Sequence, residues 1–252
     1  MKIVACCKVV QEEADIVVLE GGALSFDKAG WKIGTYDLNA IEAGKQLVSG
    51  DDTLTGLCIG GEELNNSKLR KDLLSRGLTD LSVVVNNERK LNDSFEIASA
   101  LKGAIEKMDG YDLVICGTGS ADIYAQQTGN ILGSLLDVPV LNDISKVSIE
   151  GDKAIVERSA GSHIDVFEIA LPAVISVTAD INVPGIPAMR DIMKAGKKPV
   201  AEVAPEWDGI VASTEIVSEI APPKKGRANV VVEGDDDEAI DALVAFLKKQ
   251  MA

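Results

Sequence analysis

Four apolar runs of strand length, each followed by a turn signal, constrain this chain more than any other feature. They cover residues 2–10, 53–59, 81–85 and 112–116. Within them Ile3-Val4-Ala5-Cys6-Cys7 and Leu113-Val114-Ile115-Cys116 run without alternation, as strands buried on both faces require. Segments with helical spacing fill the intervals: residues 36–48, with Leu38, Ile41 and Leu47 for a buried side, residues 67–75, and residues 93–108. Strand-then-helix units in succession predict a parallel sheet with right-handed crossovers, and such sheets bind ligands at the carboxyl ends of their strands.

Three of those ends carry permissive residues: Cys7-Lys8, Ile59-Gly60-Gly61 and Gly117-Thr118-Gly119-Ser120. The last is the most informative. Its two glycines allow positive φ, so that successive N–H groups can point at one spot, and Thr118 and Ser120 add small hydroxyls. Asp122 is expected to cap a helix beginning near Ile123, in which Ile123, Gln127 and Ile131 fall at four-residue spacing. A helix start carries free N–H groups and partial positive charge, which makes phosphate the obvious ligand. The same turn also serves a doubly wound domain that binds nothing. Neither a GxGxxG motif nor a P-loop lysine is present, which disfavours a standard dinucleotide or P-loop site.

The remainder has a different texture. Residues 15–26 alternate loosely around Gly21-Gly22, predicting a small inserted hairpin. Residues 144–149, 153–158, 164–170 and 173–177 read as short strands joined by Glu150-Gly151-Asp152 and Ala160-Gly161-Ser162, an antiparallel extension along one edge. Residues 182–190 form a loop rich in Pro and Gly that nevertheless carries Ile186 and Met189, apolar side chains suited either to packing or to a partner. Beyond Lys197 the strand and helix rhythm is lost until Asp235-Asp236-Asp237-Glu238 opens a final helix over residues 239–249, its acids first and Lys248-Lys249 last, as the helix dipole favours. The expected fold is a Rossmann-like α/β domain over residues 1–200: a mostly parallel sheet with helices on both faces and an antiparallel extension. An extended C-terminal arm, residues 201–252, follows and needs another surface to lie against.

A formal net charge of -15 and 4% aromatic content argue against nucleic acid or an anionic membrane surface as a partner. No apolar run reaches the roughly 20 residues of a membrane span, and no signal-peptide pattern opens the chain, so a cytoplasmic protein is expected. Cys6, Cys7, Cys58 and Cys116 lie in or at the ends of apolar runs with no CxxC pair, and read as small buried hydrophobes. His163 is the only histidine, which excludes a His-rich metal site or paired catalytic imidazoles. Lys68, Arg70 and Lys71 read as the solvated face of their helix.

Five motifs, in order, carry a resemblance. They are Tyr36-Asp37-Leu38-Asn39-Ala40-Ile41-Glu42-Ala43; Cys116-Gly117 followed by Ser120-Ala121-Asp122-Ile123-Tyr124-Ala125-Gln126-Gln127-Thr128-Gly129; Val156-Glu157-Arg158; Leu171-Pro172-Ala173-Val174; and Asp191-Ile192-Met193-Lys194-Ala195. On these, the chain to about Val200 resembles the β subunit of electron transfer flavoproteins, particularly the FixA-like branch. The resemblance implies a heterodimer with an α subunit that holds redox-active FAD, passing electrons between acyl-CoA-type dehydrogenases or reductases and another carrier. Such a chain is an electron-carrier subunit rather than a self-contained enzyme, with no catalytic residue or metal of its own.

The β subunit of that family binds AMP, or a second FAD in electron-bifurcating branches. Carried across by position, the nucleotide contacts are Cys6, Gly34-Thr35-Tyr36-Asp37, Ile59, and Gly117-Thr118-Gly119-Ser120 continuing through Ala121, Asp122, Ile123, Tyr124, Ala125, Gln126 and Gln127 to Thr128. Arg158 matches an arginine near the flavin face, Met189 matches the family's partner-anchoring leucine, and Ile186 shares its loop. Gln11-Glu12, Ile123-Tyr124 and Ser159 depart from the patterns of one branch or another, which leaves AMP, FAD and bifurcation open. An adenine-nucleotide sensor of universal-stress type shares the sheet and the Gly-rich loop, but needs neither arm nor docking loop.

Overall fold

The computed structural model describes every residue except 206, 208, 224, 225, 227, 228 and 252, together with the side chain of 251. Part of the expected arm therefore lies outside the described residues. In chain order, β1 (Lys2–Cys7) leads to β2 (Val9–Gln11), to the short β3 (Val17–Val18) and β4 (Leu24–Ser25), and to β5 (Trp31–Ile33). Helix α1 (Thr35–Leu47), β6 (Thr53–Gly60), α2 (Ser67–Ser75), β7 (Asp80–Val85), α3 (Ser94–Ile105), β8 (Leu113–Gly117) and α4 (Thr128–Leu135) then alternate. Strands β9 (Val140–Glu150), β10 (Lys153–Ala160), β11 (His163–Ala170) and β12 (Ala173–Val177) follow, then α5 (Met189–Ala195), β13 (Val200–Glu202) and α6 (Asp237–Met251).

Nine strands form one sheet in the order β11-β10-β9-β12-β8-β1-β6-β7-β13. Within this sheet, among the described residues, only the β9–β10 and β10–β11 pairs are antiparallel; β2 and β5 pair antiparallel in a separate two-stranded sheet. Strand β1 pairs in parallel with β6 on one side and with β8 on the other, so the winding order reverses between β1 and β8. Alternation of side chains sorts the core into two layers. Ile3, Ala5, Cys7, Leu54 and Ile115 face α1 and α2, packing on Ile41, Leu69 and Leu73. Val4, Cys6, Leu57, Val114 and Cys116 face the other way, on Ala98, Leu101 and Ala104 of α3 and Leu132 of α4. Helices on both faces of a mostly parallel sheet, with an antiparallel extension, match the fold class expected from sequence.

Two expectations change. Ala173–Val177 is not part of the antiparallel extension: β12 is parallel to both β8 and β9. All five of its residues are buried, which suits a strand covered on both faces, whereas β11 alternates as an edge strand with one solvated face does. The chain also keeps strand structure past residue 197, because Val200–Glu202 pairs in parallel with Leu81–Val83 and closes that edge of the sheet.

Trp207, Ile210, Ser213 and Thr214, which follow β13, are held on the chain's own body. Asp93 caps α3, accepting from the N–H groups of Phe95 and Glu96, both at 2.9 Å, and its other oxygen accepts from Ser213 N at 3.1 Å and from the hydroxyls of Ser213 and Thr214, each at 2.8 Å. Burial alone pushes this carboxyl up, but these donors together hold it at about 2. Arg89 adds a second fastening: it pairs with Glu96 at 2.6 Å, donates to Ile210 O at 3.0 Å and lies over the Trp207 ring at 4.9 Å.

Val18–Leu24 and Glu219–Ala252 form a separate, smaller unit. Within it Ala23 and Ile220 make an antiparallel bridge, and the Ala221 N–H donates to Gly22 O at 2.8 Å. Its helix α6 carries Ile240, Leu243, Val244 and Leu247 at i, i+3, i+4 and i+7, one continuous apolar stripe that stays about half exposed.

Asp93→Ala removes an N-cap and the three Ser213 and Thr214 bonds together. The expected cost in urea unfolding is about 1–3 kcal/mol, with faster amide exchange at Ser213. A loss under about 0.5 kcal/mol with unchanged exchange would show that the fastening is not used.

Candidate functional site

The site forms where β1 and β8 end side by side, at the reversal of strand order. A crevice opens at such points because the chains leave toward opposite faces of the sheet. Here Lys8 leaves β1, and the segment from Thr118 leaves β8. The N-terminus of α1 closes the third side. The Gly34 N–H donates to Lys8 O at 2.9 Å, which sets the start of α1 directly on the end of β1.

Glycine at 117 is required by space rather than by φ. A Cβ there would lie 2.7 Å from the Tyr36 Cβ and 3.0 Å from the Tyr36 carbonyl carbon, well inside contact. At Gly119 a Cβ would meet the Tyr124 ring at 2.5 Å. Neither glycine has positive φ; Tyr124 (52°) and Gln126 (58°) do instead. The expected helix from Ile123 therefore does not form. Left-handed residues at 124 and 126 break the turn, and α4 begins at Thr128 with Gln127 as an N-cap that makes no side-chain bond. Asp122 does not cap α4. It accepts from the Ile123 N–H at 2.8 Å and pairs with the Lys8 ammonium at 2.6 Å.

Ser120 braces the loop from inside, its Oγ accepting from Ile123 N and Tyr124 N, each at 3.3 Å. Thr118 is tied down at both ends. Its N–H donates to Val177 O at 2.9 Å, and its hydroxyl donates to Asp143 Oδ1 at 2.5 Å. Asp143 itself sits at φ 57° within β9 and also accepts from Asn142 at 2.9 Å. Among the described residues the N–H groups of Gly119, Ser120, Ala121 and Asp122 donate to no acceptor. A run of unpartnered N–H donors on a braced loop is the local structure an anionic group such as a phosphate fits. Beside it the Tyr36 and Tyr124 rings lie 5.4 Å apart at a tilt of 34°.

Asp37 is the unusual charge here. It is buried, its Oδ2 has no partner, and it folds back against the Gly34 backbone. Burial pushes its pKa up to about 7, opposed by the Lys8 N–H and ammonium and reinforced by Asp122. The cysteines are different. Hydrogen bonding with Cys116, then burial, pushes the Cys6 thiol well up, and Cys58 with burial does the same for Cys7, so both stay protonated.

Of the residues expected at the site, Gly34, Thr35, Tyr36, Asp37 and the stretch from Gly117 to Thr128 meet around this crevice, with Cys6 buried beneath it. Ile59 is buried near the end of the neighbouring β6. Arg158 stands apart. It shares a cross-sheet row with Gly117 through Ile144 and Val177, three strands away, or about 14 Å at ~4.8 Å per strand. It pairs with Asp165 at 3.5 Å and lies over the Phe167 ring at 5.1 Å. Ile186 is 96% exposed and Met189 73%, the latter at the first turn of α5.

Three contributors escaped the sequence reading: the Lys8–Asp122 pair, Asp143, and a clamp in which Asn39 and Asn182 exchange bonds at 2.9 and 3.0 Å and hold α1 to the segment after β12. The Asn142-Asp143 pair, residues that tolerate left-handed backbone, was the one available signal for Asp143.

These features define a doubly wound α/β protein with a braced loop of unpartnered N–H groups at its topological switch point. Residues 23–207, well over half the chain, match the electron transfer flavoprotein domain, and the chain belongs to that family. Members generally bind flavin and typically form heterodimers. Among the described residues no helix is long and apolar enough to cross a membrane.

Two measurements test the geometry. Gly117→Ala is expected to cost about 1–3 kcal/mol in urea unfolding, because its new methyl meets backbone. Gly119→Ala should cost less, since it meets only the movable Tyr124 ring. Equal costs would contradict the close approach of Tyr36.

Asp37 gives a pH signature. Native Asp37 keeps its proton up to about pH 7, while the unfolded chain releases it near 3.8, so between those values the native state binds more protons. Stability should therefore fall as pH rises from about 4 to 7, by up to ~4 kcal/mol, and then level off. Asp37→Asn should flatten that slope and be the more stable form at pH 8. A mutant curve parallel to wild type would refute the assignment.

Proposed function

We propose that this chain is the β subunit of a heterodimeric electron transfer flavoprotein of the FixA-like branch, a cytoplasmic electron-carrier subunit serving acyl-CoA-type dehydrogenases or reductases. The observation that carries the reading is the braced loop after β8, whose unpartnered N–H groups stand at the switch point where the family's nucleotide is expected.

In this reading the loop from Gly117 to Thr128 and the α1 start receive AMP or a second FAD. The N–H groups of Gly119 to Asp122 take the phosphate, Ser120 and Asp143 hold the loop in shape for it, and Tyr36 and Tyr124 supply ring surface at the mouth. The electron-carrying chemistry comes from flavin held with the α subunit. Arg158, stacked on Phe167 and steered by Asp165, presents a fixed cation toward that flavin. Ile186 and Met189 anchor the dehydrogenase: two exposed apolar side chains on a short segment give a modest contact that tethers without immobilising. The stripe of Ile240, Leu243, Val244 and Leu247 is the surface by which the C-terminal arm clasps the α subunit.

Co-expression with an α-type subunit, followed by an absorption spectrum and a count of flavin and AMP released per heterodimer, tests the proposal. The expected result is a yellow complex carrying an adenine nucleotide in addition to the α-subunit flavin. Removal of residues 219–252 should abolish pairing while residues 1–218 stay folded. A folded chain that neither pairs nor retains adenine nucleotide would overturn the reading.

A further inference from the structure

The chain carries 15 more acidic than basic charges, yet one cleft in it is basic. It lies between the C-terminal ends of α1 and α2 and the segment running from Gly185 into α5, and is about 270 Å³ in volume. Lys45, Arg76, Arg190, Lys194 and Lys198 line it, against a single lining acid, Asp191. Lys45 lies nine residues along α1 from Tyr36, about 14 Å at 1.5 Å per residue, so the cleft is distinct from the crevice at the other end of that helix.

Some of this charge has an internal use. Lys45 pairs with Glu42 at 3.0 Å, an Arg76 terminal nitrogen pairs with Asp72 at 3.2 Å, and the Lys198 ammonium donates to the α2-end carbonyls of Leu74 and Leu78 at 2.9 and 2.5 Å. What remains has none. The Arg76 Nε is buried with no acceptor, a state that costs on the order of a lost hydrogen bond, so the guanidinium meets the cleft through its terminal nitrogens. Among the described residues no carboxylate lies within ion-pair distance of Lys194 or Lys198. Burial pushes Lys198 below the ordinary lysine range; Asp191 opposes that and Lys194 adds to it. Arg190 reaches only its neighbour Asp191, at 3.6 Å.

We propose that this cleft is a second ligand site, independent of the crevice, that binds a small phosphate-class oxyanion between Arg76, Lys194 and Lys198. The exposed part of the Arg76 guanidinium, the Lys194 ammonium and the remaining Lys198 N–H supply the charged donors such an anion takes. The volume falls below the roughly 300 Å³ at which sites for larger organic ligands begin, so the occupant is the anion itself or a short phosphomonoester rather than a nucleotide. Gly185, Ile186 and Pro187 form one wall, so occupancy braces the segment that carries Ile186 and Met189.

The test is an amide chemical-shift titration of the full chain with sodium phosphate replacing sodium chloride at constant ionic strength, repeated with glycerol phosphate. Saturable movement of the Gly77 and Gly185 amides is expected. Tighter binding of glycerol phosphate would identify an ester as the occupant, and tighter binding of phosphate the free anion. Lys194→Ala, an exposed side chain whose loss leaves the fold intact, should weaken the response about fivefold, and Arg76→Lys, which replaces the planar guanidinium by a single ammonium, should weaken it similarly. The proposal is overturned if those amides do not move, if chloride moves them equally, if movement is confined to Gly119 to Asp122, or if both variants titrate like wild type.

Discussion

The start of α1 lies against the end of β8 so closely that no side chain fits between them, and most of the candidate site follows from that contact. With a Cβ at 117 excluded by Tyr36, the chain can leave the sheet only by turning away from α1, and the loop it then forms is braced on β12 and β9 rather than on the helix. Helix α1 in turn is fixed by Gly34 on Lys8 at one end of the contact and by the Asn39–Asn182 exchange further along. The crevice and the segment after β12 are thus held by the same helix. Its first turn shapes the crevice, its middle holds the segment after β12, and its last turn meets the basic cleft through Lys45.

Where local patterning and tertiary demand agreed, the fold was legible. The helix over residues 67–75, the strand over residues 173–177 and the buried cysteines were read directly, because continuous apolar runs and helical spacing leave few alternatives; the caps Asn66 and Asp93 were not read. The direction of β12 was not, since parallel and antiparallel pairing make the same demand on five buried residues. Strand β13 escaped because three exposed residues, Val200–Glu202, carry no pattern; an open sheet edge recruited them. Position was easier to read than mechanism at the loop after β8. The glycines marked it correctly, but for want of space rather than for backbone freedom, and the positive φ went to Tyr124 and Gln126, where no propensity scale would put it.

On the proposed reading, charge explains how a strongly acidic chain receives anions at all. At the crevice the nearby cation, Lys8, is already matched by Asp122, and Asp37 is kept neutral below about pH 7 by burial. Attraction there must come from N–H dipoles, which act only at contact distance and in fixed directions, so they select by shape and are little affected by salt. The proposed cleft at the far end of α1 works in the opposite way, with lysine and arginine charges whose attraction reaches further and is screened accordingly. Bringing the lysines to the crevice would have repelled Lys8 and released Asp122, undoing the pair that anchors the loop. On that reading, keeping the two kinds of anion recognition a helix length apart lets the crevice stay preorganised while the cleft responds to solution conditions.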